Sequence, residues 1–366
     1  GALASLVAWP AIAQSPRPGP AASGRAPVVA QIVDLSASQQ DVSRDFLVGS
    51  RCAWQEFNGR AGQRGRPIQH LSLETDGSDA ALAAAVRQAL DLPGCVALVG
   101  SCGTAASMRI GRLLRQAGAD LAHVAPWFQN SEGEIDERTF PIFAGRQEQI
   151  AHAIRSLGTI SLSEFGVVYG TEADRGLYGD DVARSAQAAG LRVQSFGPAA
   201  DLRSLGQRLA PGTPAVLLFI GGTPELAQFA AGLEKQQRQR YVVAMADVNP
   251  QVLQQTGAAR HTPVIVTQAV PLVTAALPVV RGYRESLARL FDEPPSPLSL
   301  SGYISARFAQ EVLQDLALPT RASSLQAFQR RAAVDVGGFR VSSGPLRRNG
   351  AFVTQSMLTV DGRVIG

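Results

Sequence analysis

At 366 residues the chain exceeds what one compact core organises, and its 45% hydrophobic content excludes a disordered polymer. Charged residues make up only 17%, and the formal net charge of +4 comes from arginines spread along the chain, with lysine almost absent. No basic run with interleaved aromatics occurs, so the positive charge reads as a solvated surface and not as a nucleic-acid site.

Residues 1–13 are apolar, too short to span a bilayer, and end in Ala11-Ile12-Ala13 ahead of Gln14-Ser15. This is the apolar core and small-residue cleavage site of a secretory signal. Residues 16–27, rich in Pro, Gly, Ala and Ser, read as a leader, so residues 1–27 are expected to stand outside a globular structure that starts near Val28. There Ile32-Val33-Asp34-Leu35-Ser36 predicts a short apolar strand. Ser38-Gln39-Gln40-Asp41 follows, with Asp41 expected as a helix N-cap. A helix ending at Asn58-Gly59, a turn at Arg64-Gly65-Arg66-Pro67 and a second strand at Leu73-Glu74-Thr75-Asp76 complete one βαβ unit. The Ala-rich helix over 79–90 and the strand over 96–100 repeat the pattern, which implies a parallel sheet with helices on both faces.

A second series follows with the same layout: a helix from 149, strands over 165–169, 191–196, 215–220 and 241–246, and helices over 178–189, 201–209 and 224–236. Further helices are expected over 279–291, 301–316 and 324–331, with a solvated loop over 292–297. Gly344-Pro345-Leu346-Arg347-Arg348-Asn349-Gly350 reads as a hairpin turn, residues 351–360 alternate as an edge strand, and Asp361-Gly362 makes the last turn. The fold class is therefore α/β with two doubly wound lobes.

The order of these pieces, from the first βαβ unit through Gly100-Ser101-Cys102-Gly103-Thr104, Phe165-Gly166-Val167-Val168-Tyr169, Tyr178-Gly179, Leu218-Phe219-Ile220-Gly221-Gly222 and Val266-Thr267-Gln268-Ala269-Val270-Pro271 to Tyr283, resembles the type I periplasmic solute-binding proteins of branched-chain amino acid ABC transporters. The resemblance spans about residues 28–366. It implies two lobes joined by three hinge crossings, at 141–145, 264–268 and 336–340. Residues 28–143 plus 269–337 would form the first lobe and 144–268 plus 338–366 the second. It also implies a monomeric periplasmic receptor that closes on a small ligand and hands it to a membrane permease, with no enzymatic activity and no cofactor.

The resemblance points to candidate ligand contacts. Thr104 aligns with the serine that grips a ligand carboxylate, beside Gly103 at a helix amino terminus, although a hydroxyl there can equally be a helix cap. Amino-acid binders carry a Pro-Gly-Ala-Thr type segment after the next strand; this chain has Trp127 and Phe128 there, an apolar wall for a ring or an aliphatic chain, or else core packing. Tyr178 aligns with a tyrosine that closes over the ligand, and Thr223 lies within one residue of another. The acid that pairs with a ligand ammonium aligns with Ala246 or Asp247, depending on register. With Asp247 in the cleft an α-amino acid fits, branched-chain or related. Otherwise an amine-free aromatic or aliphatic carboxylate, or a sensing role, is the alternative. Arg146, just past the first crossing, can pair with a carboxylate or lie on the surface.

No Gly-x-Ser-x-Gly elbow, nucleotide fingerprint or His/Cys cluster occurs, so neither catalysis nor a metal is expected. Cys52, Cys95 and Cys102 permit one disulfide in an oxidising compartment, and their spacing selects no pairing.

Overall fold

The computed structural model describes residues 26–61, 66–127, 135–331, 333–343, 352–359 and 364–366. The expected signal segment, the turn at 64–65, Phe128, the 344–350 hairpin and the last turn at 361–362 lie outside the described residues.

Strand β1 (Val28–Asp34) is buried along its whole length, as a central parallel strand must be when helices cover both faces. It is flanked by β2 (Gln69–Thr75) and β3 (Cys95–Val99), and β4 (Ala122–Val124) and β5 (Thr139–Phe140) extend the sheet in the order β2-β1-β3-β4-β5, all parallel. The helices between them are α1 (Gln40–Ala61), α2 (Asp79–Asp91) and α3 (Thr104–Gln116).

The second lobe holds α4 (Arg146–Thr159), β6 (Glu164–Tyr169), α5 (Glu172–Ala188), β7 (Arg192–Phe196), α6 (Leu202–Arg208), β8 (Val216–Ile220), α7 (Thr223–Leu233), β9 (Tyr241–Ala244), α8 (Pro250–Thr256) and β10 (Val264–Gln268). Its sheet runs β14-β13-β10-β9-β8-β6-β7. Strand β13 (Thr354–Leu358) runs antiparallel to both its neighbours, β10 and β14 (Val364–Ile365), and the edge is β14 and not the expected strand at 351–360. Helices α9 (Pro278–Leu290), α10 (Pro297–Leu313) and α11 (Arg321–Arg330) pack on the first lobe, and β11 (Ala333–Val336) pairs with β12 (Phe339–Ser342) in a separate hairpin.

The chain thus passes between the two lobes three times: after β5, after β10, and between α11 and β13. Two expected crossing segments differ in kind. Residues 264–268 are β10 itself, an inner strand, so the passage starts only at Ala269. Gly337 and Gly338 form the turn of the β11–β12 hairpin. Helix boundaries also move: α1 continues past Asn58-Gly59, with Asp41 inside its first turn and not at the cap, and α5 begins at Glu172, six residues before Tyr178.

One contact positions the interlobe region. Helices α1 and α10 approach so closely that a Cβ on Gly49 would lie 1.6 Å from the Ser299 carbonyl oxygen, and one on Gly302 would lie 1.8 Å from that of Phe46. No residue but glycine permits this backbone contact. It brings the amino terminus of α10, capped by Ser296, and the Phe46 ring to the first lobe's margin facing the second. Across that margin the Asn249 amide donates to Asp45 on α1 at 3.3 Å, and the Ser296 hydroxyl donates to the same oxygen at 2.9 Å.

Candidate functional site

The carboxyl ends of the parallel strands in both lobes are where open α/β sheets bind ligands. Here they enclose a small recess lined by Trp127 of the first lobe, Ala246, Val248 and Val266 of the second, Gln268, Ala269 and Val270 at the second passage, and Pro297, Leu298 and Ser301 at the start of α10.

Trp127 is placed by backbone chemistry. Cys102 bridges to Val33 on one side and to Trp127 on the other, continuing the sheet beyond its strands. The Trp127 N–H donates to the Ser101 carbonyl at 2.8 Å, and the Ser107 hydroxyl donates to the Trp127 carbonyl at 3.2 Å. Ala125, with φ of +46°, makes the sharp turn that releases Trp127 from the end of β4. The indole packs against Phe143 at 5.2 Å and Phe46 at 5.8 Å between centroids. Its Nε1–H is buried without a hydrogen-bond partner. Gln268 ends β10; its amide nitrogen donates to the Ser356 hydroxyl, and its Oε1 is likewise buried and unpartnered.

The register question between Ala246 and Asp247 has a structural answer. Gln149 on α4 accepts from the Ala246 N–H at 2.8 Å and from the Thr267 hydroxyl at 3.2 Å, which fixes Ala246 against the recess. Asp247 instead pairs with Arg146, whose other amino group donates to Asp174 at 2.8 Å and whose guanidinium lies 4.9 Å from the centre of the Tyr178 ring. Arg146 side-chain exposure is 7%, so the surface reading of that residue is replaced by a buried ion cluster. Burial pushes the Asp247 carboxyl above its ordinary range while Arg146 pulls it back, and burial also raises the Tyr178 phenol. Asp247 Oδ1 keeps no partner.

The remaining predicted contacts sit apart from the recess. Gly103, with φ of +105°, is the N-cap of α3, and Thr104 is that helix's first residue and not its cap. A Cβ on Gly103 would lie 2.7 Å from Asp34 Cβ and 3.1 Å from its carboxylate oxygen, so a carboxylate of the chain itself stands beside the helix amino terminus expected to hold the ligand's carboxylate. The Thr223 hydroxyl accepts from the Asn249 N–H at 2.9 Å. The structure thus joins Tyr178 and Asp247 through Arg146, sets Gly103 beside Asp34, and brings Trp127 to the recess. The sequence reading missed Asp34 and Gln268 as site residues. The two polar residues that close the apolar run Val264-Ile265-Val266, Thr267 and Gln268, were the available signal for Gln268.

The three cysteines are buried and unpaired, and burial pushes the Cys52 and Cys102 thiols up to about 12, so neither presents a thiolate. Among the described residues no group of three or more His, Cys, Asp or Glu is arranged to hold a metal, and no helix is long and apolar enough to cross a membrane.

The sequence profile described as periplasmic binding protein matches residues 28–360. No curated protein matches the sequence. Among solved structures, a substrate-binding periplasmic protein from Ralstonia solanacearum superposes with a TM-score of 0.80 at 23% identity, covering 93% of this chain and 99% of that one. A fatty acid ABC transporter substrate-binding protein from Thermomonospora curvata gives 0.76 at 16%, covering 94% and 91%. The branched-chain amino acid transporter substrate-binding protein LivJ from Streptococcus pneumoniae, in complex with isoleucine, gives 0.75 at 13%, covering 93% and 98%. At these identities the likeness is one of fold.

Proposed function

We propose that this chain, which belongs to the periplasmic binding protein family, is the extracytoplasmic receptor of an ABC importer and binds a small solute between its lobes. The observation that carries this reading is the recess itself: both lobes and the second passage contribute walls to it, so a solute held there is gripped only when the lobes meet. Three passages permit a rigid-body rotation of one lobe against the other, and the closed form is the one a permease partner would recognise. The reading is of a monomer that binds and does not catalyse.

The geometry favours a ligand without an α-ammonium. A buried ammonium needs a carboxylate, and Ala246 faces the recess where that carboxylate would stand, while Asp247 already holds Arg146. The branched-chain amino acid reading has one observation in its favour, the unpartnered Oδ1 of Asp247, which could accept from an ammonium if Arg146 shifted. A sensor that uses the same closure without a permease is the second functional reading.

The test is small-angle scattering on the purified protein across a nutrient library, followed by ATPase stimulation of the co-expressed permease in proteoliposomes. Ligand-dependent compaction with stimulated ATPase supports the receptor. Compaction without stimulation assigns a sensor, and no compaction with any solute rejects both.

A further inference from the structure

We propose that the recess between the lobes selects a neutral solute, an aliphatic body carrying one hydroxyl or primary amide, in preference to a carboxylate or an amino acid. This rests on the receptor reading and concerns the chemistry of its ligand. Two buried side chains in the recess wall, each 2% exposed, have complementary groups unsatisfied: the Trp127 indole N–H, a donor, and Gln268 Oε1, an acceptor. Leaving such groups unpaired is costly, so the site rewards whatever pairs them. A hydroxyl accepts from one and donates to the other, and an amide does the same with its two ends.

The rest of the wall decides against charge. Ala246, Val248, Val266, Ala269, Val270 and Leu298 offer hydrocarbon, and among the described residues no Arg, Lys, His, Asp or Glu lines the recess. A carboxylate there would meet the Gln268 carbonyl oxygen with no cation to offset its desolvation. The seats that would serve a zwitterion are taken by the chain's own charges: Arg146 occupies Asp247, and Asp34 stands beside the amino terminus of α3. The free space is about 10 Å³, room for about one water, so the lobes must part to admit a solute.

The test holds the hydrocarbon constant and varies the head: 3-methyl-1-butanol, 3-methylbutanamide, 3-methylbutanoate, 3-methylbutylamine and L-leucine are titrated by calorimetry into the intact protein. The alcohol or the amide is expected to bind at least about tenfold tighter than the three charged compounds. Trp127→Phe keeps an aromatic ring but removes the N–H, and Gln268→Met removes the acceptor. Each should weaken the neutral ligand about tenfold, the scale of one lost buried hydrogen bond, while the melting temperature without ligand shows whether the variant folds. Tighter binding of 3-methylbutanoate or leucine overturns the neutral-head assignment and leaves the receptor standing. So does silence from the alcohol and the amide at about 10 mM, the weakest binding that mass action registers. Equal affinity of wild type and both variants means the pair holds a structural water only, which also overturns the proposal.

Discussion

Replacing Arg146 by methionine keeps the side chain's apolar stem and removes the cation that holds Asp174 and Asp247. Removing one partner of a buried ion pair costs about 3–5 kcal/mol, because the other charge is left without compensation. Asp174 and Asp247 side chains retain 15% and 12% exposure, and Asp247 can take up a proton, so the lower end, about 3 kcal/mol at pH 7, is expected. At about 2–4 °C per kcal/mol for a lobe of this size, the melting temperature falls by about 6–12 °C. The deficit also depends on pH. Burial already raises the Asp247 carboxyl, and without Arg146 it rises further. A carboxyl whose folded value lies above its unfolded value gives most stability at low pH and loses it as pH rises through the folded value. The deficit is therefore smaller at pH 5 than at pH 7, by at most about 1.4 kcal/mol per pH unit. Urea denaturation followed by circular dichroism at both pH values measures this. Adding Asp247→Asn to the variant should recover at least half the loss. A deficit below about 1 kcal/mol at pH 7, or one that does not change with pH, would refute the buried-cluster reasoning.

Three other variants probe the scaffold. His123 on β4 is fully buried with neither ring nitrogen paired, and burial pushes it down to about 4. His123→Leu should gain about 1–2 kcal/mol in urea denaturation. It should also abolish part of the loss of stability that the wild type suffers as pH falls from the unfolded value near 6.5 toward 4; His70, likewise pushed down to about 4, keeps the remainder of that loss. Glu56 accepts from Tyr303 at 2.6 Å and from Ser286 at 2.7 Å. Burial alone would raise its carboxyl, but these hydroxyls and Arg60 hold it below its ordinary value. Glu56→Gln should cost about 1–3 kcal/mol at pH 7. Because the folded value is depressed, that contribution is lost in the wild type as pH falls below about 4, where the two proteins should converge in an acid titration. Gly302→Ala places a methyl 1.8 Å from the Phe46 carbonyl oxygen, so α10 must separate from α1. A loss of at least about 1–3 kcal/mol is expected in thermal unfolding, together with weaker ligand binding, because Phe46 supports Trp127.

The fold was legible because its signals are local and repeated. A buried parallel strand such as β1 must be apolar throughout, a helix between two such strands must carry one apolar stripe, and right-handed crossovers leave few arrangements. The site was legible only in part. Trp127 stood out because a bulky aromatic replaced a small polar residue at the end of β4. Asp247 and Tyr178 were found as residues, but their relation to Arg146 was not, since the three lie 32 to 101 positions apart in sequence and meet only when α4, α5 and the end of β9 pack together. Asp34 read as the last residue of a strand; its place beside Gly103 depends on how β1 and β3 align.

By itself, then, the sequence determined the alternation of strands and helices, the two lobes and the region where strand ends would gather, because hydrophobic period and turn chemistry act over a few residues. Only the tertiary structure decided which way Ala246 and Asp247 face, that Arg146 is buried, and that the indole of Trp127 and the amide of Gln268 share one recess. Those outcomes turn on hydrogen bonds such as that from the Ala246 N–H to Gln149, made across 97 residues of chain. Such a bond depends on the directions of two side chains after both lobes have packed, and no period in the sequence encodes that.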